Sequence, residues 1–199
     1  MITSIFPTPI YTAPITITQD FSNLQYVDAG NGHISQSNNV LQFYPTLKQE
    51  LQDHVNKYTE QLGFANQTII STSWVNKHYR NGYSQQHVHH NSIISGVVFI
   101  DTPPDTGLFI LKKTNTIQND LFSMHIKLDP THPTEYNTDE YVVTPQSNSL
   151  IIFPSSIPHC VTLNNTDHPR YTMAFNVLPN GTIGRQFETE MTMHSGPPQ

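Results

Sequence analysis

The chain has a single cysteine, Cys160, so no intrachain disulfide can brace it. That fits a reducing compartment. Charge is scarce as well, with Asp, Glu, Lys and Arg making up 12% of 199 residues. Only nine residues are basic, no run of them could follow a phosphate backbone, and the formal net charge is −6. Nucleic acid is therefore not an expected partner. No apolar stretch approaches the roughly 20 residues that span a bilayer. The opening MITSIFPTPIYTAP lacks the charged-then-apolar order of a secretory signal. A cytoplasmic protein without a membrane partner is expected.

Asn, Thr, Ser and Gln fill the gap left by charge, and hydrophobic residues still reach 36%, so low charge does not mean disorder. Fifteen prolines and nine glycines are scattered along the chain, which suits many short strands and turns better than a helical bundle. Pro7, Pro9 and Pro14 mark residues 1–18 as an extended edge segment. Residues 20–43 are polar and turn-rich, and periodicity assigns them nothing.

One helix is expected, from Leu47 to Leu62. Leu47, Leu51, Val55, Tyr58 and Leu62 form its apolar stripe, Thr46 and Gln49 read as a capping box, and Gly63 stops it. Short strands follow at Thr68–Tyr79, Gln86–Val88, Ile93–Ile100, Leu108–Lys112, Leu121–Leu128, Tyr141–Thr144, Ser149–Phe153, His159–Leu163 and Arg170–Leu178. Turn chemistry such as Asn81-Gly82 separates them. This is the profile of an antiparallel sandwich or jelly roll. A single mainly β domain is expected over 1–199. Residues 1–66 form an N-terminal extension and the helix, 67–178 the jelly-roll core, and 179–199 a C-terminal extension.

Most of the eleven histidines read as surface or turn residues, among them His33, His54, His132 and His194. The segment Gln85-Gln86-His87-Val88-His89-His90 differs. Residues i and i+2 of a strand share a face, so His87 and His89 make a ready clamp for a divalent metal. A lone His-x-His is as readily a structural pair. The later stretch Phe153-Pro154-Ser155-Ser156-Ile157-Pro158-His159 gives it weight. It reads as a buried strand, a proline turn and a histidine opening the next strand. A jelly roll returns such a strand beside the earlier one, which makes His159 a third candidate ligand. After ten intervening residues, Arg170 opens another strand and shares a face with Thr172. Arg offers a planar fork that matches a carboxylate, although a strand-end Arg can also simply pair with a surface acid.

These residues resemble the Fe(II)/2-oxoglutarate-dependent dioxygenase superfamily. Its usual pattern is His-x-Asp/Glu, a distant His, and Arg about ten residues later followed by x-Ser or x-Thr. His87-Val88-His89, His159 and Arg170-Tyr171-Thr172 occupy those places. The segment from Asn76 to Gly82 is similar to the strand and turn that precede the first ligand. Ile5 to Tyr11, Ser92 to Val98 and Phe153-Pro154-Ser155 resemble more narrowly a subgroup of 2OG-Fe(II) oxygenases found in phages and bacteria. The resemblance implies a double-stranded β-helix of cupin-like form. It further implies Fe(II) on His87, His89 and His159, and 2-oxoglutarate held by Arg170 and Thr172 with Tyr79 or Asn76. The expected outcome is hydroxylation through oxidative decarboxylation of the 2-oxo acid.

Position 89 departs from the pattern, being His where the superfamily has a carboxylate. Three neutral imidazoles leave the metal one unit more positive, which alters its redox potential. A side chain at 89 also occupies the place a halide would need in a halogenase. Asp101 is the nearest carboxylate in sequence. Two other classes compete: a cupin-type three-histidine metalloprotein that does not use 2-oxoglutarate, and a non-catalytic jelly-roll binding or structural protein. The first usually carries a Glu soon after His-x-His, which His90 to Ile94 lack, and it leaves Arg170 without a role. Trp74 reads as core, Cys160 as a small buried residue facing away from the metal, and His125 and His168 as surface groups. The segments Lys113–Asn119 and Asp129–Glu140 sit where this fold builds substrate walls. A small molecule or a protein side chain fits equally as substrate.

Overall fold

A computed structural model describes residues 2–113, 131–184 and 189–193. The strand expected at Leu121–Leu128, His125, His194 and most of the segment Lys113–Asn119 lie outside the described residues. In chain order the elements are β1 (Tyr11–Pro14), β2 (Tyr26–Asp28), β3 (His33–Ser35), a 3₁₀ turn (Val40–Phe43) and α1 (Pro45–Gln61). Then come β4 (Gln67–His78), β5 (Ser84–His87), β6 (Ile94–Asp101), β7 (Phe109–Lys112) and β8 (Glu140–Val143). The last are β9 (Ser149–Pro154), β10 (His159–Val161), β11 (Arg170–Ile183) and β12 (Met191–Met193). No helix among the described residues is long and apolar enough to cross a membrane.

Among the described residues these strands form two antiparallel sheets. The larger runs β1-β9-β6-β11-β4-β3-β2, with β12 on the far end of β11, and the smaller runs β5-β10-β7-β8. This is the mainly β, one-helix, double-stranded β-helix architecture. The N-terminal segment is built into it, with β1 pairing along β9 and β3 along β4.

Helix α1 begins two residues before the expected start, and its capping differs. Pro45 takes the first helical position, where a fixed φ and a missing N–H cost nothing. Tyr44 precedes it with no side-chain cap. Thr46 therefore lies inside the first turn, and Gln49 donates to Asp53 at 2.9 Å instead of closing a box. Gly63 ends the helix with φ of +77°, a left-handed conformation that glycine adopts without penalty.

The larger sheet is buried on both faces. On one face Val75, Val98, Leu150, Ile152, Met173 and Phe175 pack with Leu47, Leu51 and Val55 of α1. On the other, Val97, Phe99, Ile151 and Phe153 meet Phe109, Leu111 and Ile157 from the smaller sheet's side. Residues Ile94–Phe99 are consequently all buried, which is why they read as one continuous apolar run. Gly96 is required here. A Cβ at that position would sit 2.0 Å from Phe175 Cζ, so any larger residue must displace a fully buried ring worth roughly 1.5–3 kcal/mol.

Strand β11 runs past the expected stop at Leu178 and carries Pro179 inside it. Its pairing with β6 ends at Val177, whereas pairing with β4 continues to Asn180. From Pro179 onward β6 no longer flanks the strand, and a residue without an N–H is tolerated.

Candidate metal centre

The smaller sheet brings two of the histidines together through its register. His87 closes β5 and lies directly opposite His159 at the start of β10, and directly opposed residues in an antiparallel pair share a face. His89 lies two residues beyond β5 and is tied down by its backbone N–H, which donates to Ser155 O at 3.1 Å. The rings of His87 and His89 stack with centroids 5.3 Å apart and planes 16° apart. The His159 ring lies 4.3 Å from the first and 5.0 Å from the second. One ring nitrogen from each of the three falls within 4.8 Å of the other two.

The hydrogen bonds of these rings decide which nitrogens are available. His87 Nδ1 donates to Gln85 O at 2.7 Å and His159 Nδ1 donates to Ile157 O at 2.9 Å. His89 Nδ1 faces Asn176 Oδ1 at 2.5 Å and Ser95 Oγ at 2.9 Å. Carbonyl and amide oxygens only accept, so each Nδ1 carries the hydrogen and each Nε2 keeps its lone pair. Fixing the far nitrogen in this way sets tautomer and ring direction for metal ligation. Burial also favours neutral rings, lowering the pKa of His89 and bringing that of His159 down to about 3. Neutral imidazoles with parallel supports are a donor set suited to a divalent first-row metal.

A cavity of about 70 Å³ runs from these histidines to Arg170. Strands β4 and β11 contribute Trp74, Asn76, Arg170, Thr172 and Ala174, because alternate residues of a strand share a face. Asn76 and Thr172 stand opposite each other in the register. Arg170 is 1% exposed. Its Nη1 donates to Thr106 O at 2.6 Å and its Nη2 to His78 Nδ1 at 2.8 Å, while its Nε has no partner. Among the described residues no carboxylate pairs with it. Burial lowers its pKa only to about 10, so the guanidinium stays charged at neutral pH. A buried cation without a counter-ion is costly on its own and favours an anionic ligand.

Other expected residues fall elsewhere. Tyr79 does not line the cavity. It is 45% exposed, with its ring against His33 and under Lys77 Nζ. Strand alternation puts it on the side of Lys77, away from Asn76 and His78. Trp74 is no core residue but a half-buried cavity wall, its ring 5.4 Å from that of His89. Asp101 stands at the end of β6, bonded to His168 at 2.9 Å on the surface, and joins neither the triad nor the cavity. Cys160 is half-buried between two residues, His159 and Val161, that do line it. His78 went unassigned in the sequence. Its signal was register alone, since it stands directly opposite Arg170.

The buried neutral histidines make stability depend on pH. Burial, with the Arg170 charge beside it, lowers the His78 pKa from 6.5 to about 4. The unfolded chain then binds more protons than the folded one below pH 6.5. Stability is full above that value and falls as pH drops toward 4 for His78 and toward 3 for His159. Each pKa unit corresponds to about 1.4 kcal/mol, so a loss of a few kcal/mol is expected. Denaturant midpoints of metal-free protein at pH 7.5 and 5 test this. Equal midpoints would contradict two buried neutral imidazoles.

Comparison with known proteins agrees with this geometry. Residues 72–176, over half of the chain and including all three histidines and Arg170, match the family described as "Putative 2OG-Fe(II) oxygenase". Among solved structures, HygX from Streptomyces hygroscopicus, crystallised with nickel and 2-oxoglutarate, superposes with a TM-score of 0.58. It is 11% identical, over 86% of this chain and 83% of that one. The α-ketoglutarate-dependent epimerase SnoN from nogalamycin biosynthesis gives 0.56 at 13% identity, over 79% and 68%. An oxidoreductase of the 2OG-Fe(II) oxygenase family from Burkholderia pseudomallei gives 0.54 at 11%, over 78% and 72%. At these identities the structures establish a shared fold, and among curated proteins no sequence matches. A match that spans the strands from β4 into β11, on a double-stranded β-helix with its histidines converged, makes this chain a member of the 2OG-Fe(II) oxygenase family.

Proposed function

We propose that the protein is an Fe(II)/2-oxoglutarate-dependent dioxygenase that hydroxylates a substrate reaching the open side of the histidine cluster. One observation carries this reading. Three imidazoles with their Nδ1 atoms already engaged share a cavity with a buried guanidinium that has no counter-ion.

In this reading His87, His89 and His159 hold the metal through Nε2. Arg170 takes the distal carboxylate of 2-oxoglutarate, with the Thr172 hydroxyl and Asn76 amide beside it. When bound, iron would let dioxygen act as the oxidant: the 2-oxo acid would give up two electrons and take one oxygen atom in becoming succinate and carbon dioxide, and the other oxygen atom would go into the substrate C–H bond. The protein orients the co-substrate and keeps water out with the apolar wall of Val97, Phe99, Phe109 and Val161. The departure at His89 raises the site's charge by one unit relative to two histidines and a carboxylate, and slow turnover in the absence of substrate follows from that. Arg170 also favours this reading over a three-histidine site that does not use 2-oxoglutarate, where a buried cation would serve nothing.

The test is anaerobic titration with Fe(II) and then 2-oxoglutarate, read by metal-to-ligand charge-transfer absorbance. A band that appears only with both, and thermal stabilisation exceeding that by metal alone, is the expected result. Metal binding with no response to 2-oxoglutarate would move the protein to the cupin-like class.

A further inference from the structure

We propose that His78 is a positioning residue for the co-substrate subsite: it aims Arg170 without neutralising it, and so sets the preference for a 2-oxo acid that carries a distal carboxylate. The inference rests on the co-substrate role given to Arg170 above.

The geometry begins with the register. His78 ends β4 directly across from Arg170, and both side chains are buried, 4% and 1% exposed. Arg170 Nη2 donates to His78 Nδ1 at 2.8 Å. An imidazole nitrogen that accepts is unprotonated, so in the neutral ring the hydrogen lies on Nε2. That nitrogen faces Ser84 Oγ at 3.2 Å. Ser84 opens β5, lines the same cavity and stands three residues before His87. A continuous chain of polar contacts therefore links the strand bearing His87 to the guanidinium. Thr106 O takes the other amino group, so two acceptors clamp the plane of the fork.

The ring itself has little freedom. A Cβ on Gly32 would fall 2.5 Å from His78 Cδ2, and one on Gly82 would fall 3.0 Å from His78 Cβ. The backbone is pinned as well, because Asn164 Nδ2 donates to His78 O at 3.0 Å. The chemistry of the acceptor matters. A carboxylate at this place would orient Arg170 equally well, but it would cancel the charge that a ligand must meet. A neutral imidazole supplies the hydrogen bond and leaves the full positive charge facing the cavity. Arg170 lines that cavity, and its Nε, buried and unpartnered, still has a hydrogen bond to give.

Two polar substitutions separate the atoms of the ring. In His78→Asn the amide oxygen can stand near the position of Nδ1, whereas in His78→Gln the amide reaches the position of Nε2. The probes are 2-oxoglutarate and 2-oxopentanoate, which has the same chain length but no distal carboxylate. Each is titrated anaerobically into Fe(II)-loaded protein. Wild type is expected to favour 2-oxoglutarate. His78→Gln should lose about tenfold or more of that preference, consistent with one mispositioned charge-assisted hydrogen bond. His78→Asn should retain most of it, and Fe(II) affinity should stay unchanged in both. If both variants keep the wild-type preference, or both acids weaken equally, His78 has no positioning role. Wild-type protein that binds neither acid would instead defeat the proposed function.

Discussion

Replacing His159 by alanine is expected to lower Fe(II) affinity by at least about 100-fold, since even residues that merely support a ligand cost 10–100-fold when removed. His159 is 2% exposed, its Nδ1 is committed to Ile157 O, and its ring is packed against Phe153 and Phe109. Among the described residues no fourth His, Cys, Asp or Glu joins the cluster. The contrast is His89→Asp, which substitutes one ligand type for another. Asn176 and Ser95 lie within hydrogen-bonding range of position 89. An amide can present its nitrogen and a serine its hydroxyl, so a carboxylate there can be supported as the imidazole is. Metal binding should survive in His89→Asp and fail in His159→Ala, as measured by equilibrium dialysis with Fe(II) under anaerobic conditions. Undiminished binding in His159→Ala would remove the triad as the metal site.

Arg170→Lys carries the second large effect. Lysine keeps the charge but has neither the reach nor the two-pronged donor geometry to serve Thr106 O and His78 Nδ1 while facing a ligand. A lost charge-assisted hydrogen bond is worth about 1.5–3 kcal/mol, so 2-oxoglutarate affinity should fall by about 10–100-fold with Fe(II) affinity retained. The fold should weaken too, because Thr106 O and His78 Nδ1 lose a buried donor. Equal 2-oxoglutarate affinity in both proteins would remove Arg170 from the co-substrate subsite.

Much of this was visible in sequence because strand alternation is a local rule. Arg170 and Thr172 are two apart on β11, and the long strands β4 and β11 are rich in β-branched and aromatic residues. His87 and His89 are also two apart, but His89 lies beyond the end of β5 and joins its neighbour through the bond of its N–H to Ser155 O, not through alternation. The same rule, applied strictly, would have kept Tyr79 out, since it is three residues from Asn76 and cannot share its face. What stayed hidden depends on pairing between distant segments. His78 acquires its role only because β4 and β11 align it with Arg170. Trp74 reads as core until the smaller sheet stands opposite and leaves a gap. Strands β2 and β3 are three residues each and owe their existence to an exposed edge of β4, which no composition signal encodes. The helix cap was misplaced because Thr46 offered a familiar pattern while Pro45 held the first position.

The position of β11 in the sheet bears on how the protein is made. It lies between β6 and β4 and pairs with both along most of their lengths, yet it is the last long strand in chain order. During synthesis β4 and β6 emerge well before it and each waits with an unpaired edge, β4 carrying Ile69, Ile70, Trp74 and Val75 and β6 carrying Ile94, Val97, Val98 and Phe99. Such edges pair readily with other chains. The strand that relieves this hazard also delivers Arg170, Thr172 and Asn176. Completion of the sheet and of the cavity is therefore one event, and a nascent chain lacking β11 would be both prone to aggregate and unable to anchor a diacid. Variants that slow the docking of β11, such as a side chain at Gly96 against Phe175, should show themselves first as poor soluble yield, before any change in ligand affinity can be measured.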